Sequence, residues 1–131
     1  MIDVEDDVLD YVYQAVAPLI PEGGFRSVYV PSASAFPCAT LMEDDNTTDA
    51  GRMDSSGEEK YAVLIYEADV YAMSKAECRT VMKAIDESMT SLNFTRTTMR
   101  FISNLADETI FRYRARWRGK ANADKTFFRA T

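Results

Sequence analysis

A chain of 131 residues is sized for one domain and buries about two thirds of its unfolded surface, so it can hold a core without disulfide or metal staples. Hydrophobic residues make up 47% of it, with seven Phe, seven Tyr and one Trp, which excludes a chain disordered throughout. The net charge is -6 and the histidine count is 0, which removes the commonest general base, the usual partner of a nucleophilic serine or cysteine, and the commonest metal ligand. An enzyme is therefore not expected, nor is a cofactor, and no Gly-rich phosphate-binding pattern is present.

The opening residues Met1-Ile2-Asp3-Val4-Glu5-Asp6-Asp7 are acidic where a secretory signal is basic, and no apolar run reaches the length of a membrane span. A reducing cytoplasm is expected, with Cys38 and Cys78 as reduced thiols and no zinc. Asp3 is placed to cap an amphipathic helix over about residues 4–18, in which Val8, Leu9, Val12, Val16 and Leu19 recur near helical spacing. Pro18, Pro21 and Gly23-Gly24 end it. Phe25 to Val30 and Phe36 to Glu43 read as short strands, the second starting at a bend marked by Pro37. Residues 44–58 hold turn formers and acids with almost nothing to bury and read as a mobile acidic loop; its spacing does not fit a calcium loop.

Lys60 to Tyr71 is dense in β-formers and apolar on both faces, as a central strand is, and carries Glu67 and Asp69 out on one face. Ser74-Lys75-Ala76-Glu77 is a capping box, and the stripe Cys78, Val81, Met82, Ile85, Met89 and Leu92 predicts a second amphipathic helix over 75–91. Phe94 to Ile102 and Thr109 to Arg118 then form a β-hairpin turning at Asn104 to Glu108, and Lys125 to Arg129 can add a last short strand. The fold class is α+β, a single domain over 1–131 with a mainly antiparallel or mixed sheet against two helices.

In the second arm of the hairpin an arginine stands at every second position. Strand alternation puts Arg112, Arg114, Arg116 and Arg118 on one face and Phe111, Tyr113, Ala115 and Trp117 on the other. Arg96 and Arg100 of the first arm enlarge this ladder if the register allows. Charge is also polarised along the chain. Residues 1–91 hold 18 acidic against 6 basic side chains, and residues 92–131 hold 9 basic against 3 acidic, net -12 and +6. The two halves either neutralise each other within one domain or meet between copies of the chain. A nucleic-acid module is the alternative reading of the hairpin 94–118, but single-strand binders present cations and aromatics on one face, whereas alternation here separates them.

The strand Tyr-Ala-Val-Leu-Ile-Tyr-Glu-Ala-Asp-Val-Tyr from Tyr61, the helix from Ser74, the link Leu92-Asn93-Phe94-Thr95-Arg96 and the arm Ile110-Phe111-Arg112-Tyr113-Arg114-Ala115 resemble the tail terminator, or tail-completion, proteins of long-tailed bacteriophages and prophages. The resemblance implies a structural virion protein, made in the host cytoplasm, that forms a ring, usually a hexamer. Such a ring caps the head-proximal end of the tail tube, ends tube polymerisation and offers the docking surface for the head–tail connector. The partners it implies are the protein itself, the tube protein and the connector; from the residues themselves no membrane partner is expected, and direct nucleic-acid binding is the less favoured alternative. Candidate contact residues are Arg96, Arg100, Arg112, Arg114, Arg116, Arg118, Glu67 and Asp69.

Overall fold

Valines 8, 12 and 16 recur every fourth residue, and in the structure, a computed structural model that describes residues 1–27, 35–49, 61–103 and 109–130, they form the buried side of helix α1 (Glu5–Val16). A single 3₁₀ turn, Ala17–Leu19, carries Pro18 and closes the helix. Asp3 is not the cap. Val4 holds that position and no side chain bonds the first turn, because burial of Ile2 and Val4 fixes the entry of the chain and leaves Asp3 in solvent. The negative charge of Glu5, Asp6 and Asp7 suits the helix dipole in place of a cap.

The strands are β1 (Phe25–Arg26), β2 (Cys38–Thr48), β3 (Tyr61–Ala72), β4 (Thr95–Ile102), β5 (Phe111–Asn122) and β6 (Phe127–Phe128), with helix α2 (Lys75–Ser91) between β3 and β4. Two expectations change here. The strand expected to stop at Glu43 runs on to Thr48, so residues 45–48 of the expected loop are paired: Asp45 with Ile65, Asn46 with Leu64, Thr47 with Val63 and Thr48 with Ala62. Asp45 and Asn46 disfavour a strand and only Thr47 and Thr48 favour one; the ladder offered by the apolar β3 decides for the whole segment. The expected strand from Phe25 is described as strand only to Arg26, and its last residues, the remainder of the loop from residue 50 and the turn 104–108 lie outside the described residues.

The sheet runs β1-β2-β3-β5-β4, with β6 alongside β5 beyond the end of β4. β1 and β2 are parallel, and all other pairs are antiparallel. Since β3 and β4 both oppose β5, they run the same way, and α2 is a crossover between two parallel strands into whose gap β5 is inserted. Both helices lie on one face. Alternate residues of β3, from Ala62 through Leu64, Tyr66, Ala68 and Val70 to Ala72, meet Val81, Met82, Ile85 and Met89 of α2 and the valines of α1 in one core that also takes in Trp117. Ser74 caps α2, its Oγ accepting from the Glu77 amide at 3.1 Å. Gly119 of β5 is required by close approach: the Phe94 ring lies across it, 2.7 Å from where a Cβ would stand, and stacks edge-on against Tyr66. The result is an α+β fold with one sheet face covered by helices and the other bearing the charged side chains.

Candidate interaction surface

On β5 the even residues turn away from the helices and the odd ones toward them. Ala115, Trp117, Gly119 and Ala121 are buried, and Arg112, Arg114, Arg116, Arg118 and Lys120 stand half-covered on the opposite face. The ladder is thus one rung longer than the arginine run suggests. Lys120 continues the same two-residue step, and it stands out only once β5 is known to continue to Asn122.

Register decides what the ladder faces. Across from Arg112, Arg114, Arg116, Arg118 and Lys120, strand β3 presents Tyr71, Asp69, Glu67, Ile65 and Val63. Asp69, only 1% exposed, receives Arg112 Nε on Oδ1 at 3.3 Å and Arg114 Nε on the same oxygen at 3.0 Å, with Arg114 Nη2 on Oδ2 at 3.4 Å. Glu67 lies 3.4 Å from Arg114 Nε. The bond from Asp69 is the main reason that the Arg114 pKa is raised further, which keeps its charge fixed at any ordinary pH. The guanidinium of Arg112 also sits over the Tyr71 ring, 5.3 Å from its centroid.

The remaining counter-charges come from the segment read as a loop. A bulge between Glu43 and Asp45 turns Asp44 outward, where it pairs with Arg116, and Asp49 pairs with Lys120 at 3.3 Å. Neither aspartate was found from sequence, since a signal for them required knowing that β2 is long enough to flank β3. The ladder is therefore satisfied largely within one subunit, by Asp44, Asp49, Glu67 and Asp69.

Arg96 and Arg100 part company. Arg100 lies opposite Arg114 and does extend the ladder, but Arg96 lies opposite Trp117 and belongs to the helix side, because a bulge between Arg96 and Thr98 shifts the register by one. There Arg96 Nη1 donates to Asp86 Oδ2 of α2 at 3.1 Å, and Trp117 Nε1 donates to the other oxygen, Oδ1, at 2.8 Å. Asp86 thus ties α2 to β4 and β5 together. Arg100 and Arg118 form no ion pair with a described residue.

A second acidic group sits on the helix side of β2. Tyr66 Oη donates to Glu43 Oε1 at 3.1 Å, and the Glu43 amide donates to Glu5 Oε2 at 3.0 Å. Burial raises the Glu43 carboxyl above its ordinary pKa of 4.5, the Tyr66 hydrogen bond opposes the rise, and the charges of Glu5 and Asp3 add to it. Burial likewise pushes both thiols, half-buried Cys38 and buried Cys78, up to about 11, so they stay protonated at neutral pH. Among the described residues no cluster of three or more metal-ligating side chains is found. Within the described residues, too, no helix is long and apolar enough to cross a membrane.

No family model and no curated protein matches the sequence. Among solved structures, a chain from the virion of a native gene transfer agent (GTA) particle has a similar fold, with a TM-score of 0.60 at 14% identity, the match covering 82% of this chain and 88% of that one. Nearly the whole of each molecule is involved, so the likeness is one of overall architecture.

Proposed function

We propose that this protein is a non-enzymatic structural component of a phage-like virion, and specifically a tail terminator: a ring-forming protein that caps the head-proximal end of the tail tube, stops its growth and presents the surface to which the head–tail connector binds. The observation that carries the virion reading is the shared fold with a chain of a gene transfer agent particle over 82% of this chain. The finer assignment rests on the resemblance of residues 61–119 to tail terminators, which agrees with the element order found in the structure. A largely neutralised ladder speaks against the rival reading, a nucleic-acid module. Its cations other than Arg100 and Arg118 are matched by carboxylates, which reduces the unbalanced positive field that phosphate binding uses, and its aromatic companions lie on the other face.

The test is a tube-growth assay. Polymerising tube protein from the same gene neighbourhood is mixed with this protein, and tubes are measured by negative-stain microscopy and co-sedimentation. Shorter tubes with protein bound at one end are expected. Tubes of unchanged length, with no protein sedimenting alongside them, would sink the terminator assignment.

A further inference from the structure

The two flanks of the sheet carry apolar patches rimmed by opposite charge. At the β4 flank Phe101 is 39% exposed, and Lys75 holds its ammonium 4.5 Å above that ring. Arg79 stands one helical turn on from Lys75, and Arg100 projects from β4 itself; all three cations are exposed. The outward backbone edge of β4 pairs with no described strand. At the other end of the sheet order, α1 runs past β1, with Tyr13 stacked on Phe25 at 6.0 Å between ring centroids. Asp6, Asp10 and Tyr13 follow at steps of four and three, so they share one side of α1; both aspartates are exposed and Tyr13 is 44% exposed. Arg26, nearby on β1, turns its Nε to the Gly23 carbonyl at 3.2 Å.

We infer that these flanks are the two halves of one heterologous contact: the Asp6–Asp10–Tyr13 side of α1 in one copy docks against the Phe101 edge of the next, framed by Lys75, Arg79 and Arg100. The occupant is a second copy of this chain. Charge complementarity argues for it, since like flanks repel each other and a two-fold pairing of β4 with β4 would bring Arg100 toward its own kind. Placement argues for it as well, since patches at opposite ends of a sheet join head to tail and generate a ring or a filament. This inference rests on the ring reading above and deepens it, because it moves the subunit contact from the ladder, whose charges are largely satisfied, to the flanks.

Sedimentation velocity on the full chain tests both separately. The wild-type protein is compared with a variant carrying Asp6→Lys and Asp10→Lys, a variant carrying Lys75→Glu and Arg100→Glu, and Phe101→Ala, each first shown by circular dichroism to be folded. Assembly of the wild type is expected to weaken at least about tenfold in each variant, and a one-to-one mixture of the two charge-reversed variants is expected to regain it. A wild type that assembles while every variant assembles equally well overturns the flank contact and leaves the ring reading standing. So does a mixture that fails to recover. A wild type that stays monomeric at every concentration overturns the ring reading and the contact together.

Discussion

Asp69 shows how much one side chain on this face carries. It is buried and bonded by two arginines, so removing its charge leaves both guanidinium groups without their main anion in a partly desolvated place. Asp69→Asn is expected to cost about 2–3 kcal/mol in urea unfolding, whereas Arg118→Ala on the same face is expected to stay within about 0.5 kcal/mol. Equal effects would contradict the inequality that the ion pairs describe. Gly119→Ala sets a methyl against the Phe94 ring at 2.7 Å, and the ring cannot retreat far from its edge-on contact with Tyr66. A loss of about 1–3 kcal/mol is expected from the same measurement. Glu43 gives a pH signature. Because its native pKa is raised above 4.5, the folded state holds the proton more tightly than the unfolded chain does, so the stability it contributes is complete below that value and is lost as the pH climbs through the raised pKa. Glu43→Gln keeps an acceptor for Tyr66 and removes the titration. Its stability relative to wild type is therefore expected to rise between acid and neutral pH, and a pH-independent difference would refute the assignment.

Among the elements, those with an internal period were legible. The α1 valines, the capping box with its stripe in α2 and the apolar β3 each repeat a local pattern that fixes the element whatever packs against it. The alternation in β5 likewise separated Trp117 from the arginines correctly. What escaped the sequence is set by neighbours. The polar end of β2 is a strand because β3 supplies its hydrogen bonds, and Asp44 faces Arg116 because a bulge adds one residue there. Arg96 leaves the ladder for the same kind of reason, since one extra residue before Thr98 reverses the face of everything preceding it. Of the proposed counter-charges, Glu67 and Asp69 were visible because they share a strand with a clear face, whereas Asp49 and Lys120 depended on where strands end. Ser74→Ala tests the element that was clearest: losing the bond to the Glu77 amide is expected to cost about 1 kcal/mol in thermal or urea unfolding.

At the scale of the whole molecule, a steep polarity along the sequence has become a near-balanced outer sheet face. Among the described residues, exposed charge with no ion pair includes Asp6 and Asp10 on α1 and Arg100 on β4, besides the half-covered Arg118 within the ladder, which is why salt is expected to weaken the inferred flank contact while the buried Asp69 pairs are screened little by it.

The insertion of β5 between β3 and β4 has a consequence for the order in which the molecule is made. Synthesis lays down both β3 and β4 before β5, so a nascent chain that has emerged only as far as residue 110 lacks the strand with which both of them pair. Neither can close on the other, Trp117 has yet to enter the core, and Asp69 has no cation. Folding is thereby deferred until the seam is filled, and the contacts that close it span much of the chain. A fragment of residues 1–110 is expected to melt without a cooperative transition by circular dichroism, and a sharp one would show that the seam is not what makes the fold all-or-none. For the flank contact inferred above, late closure means that neither docking surface is assembled before the subunit is complete.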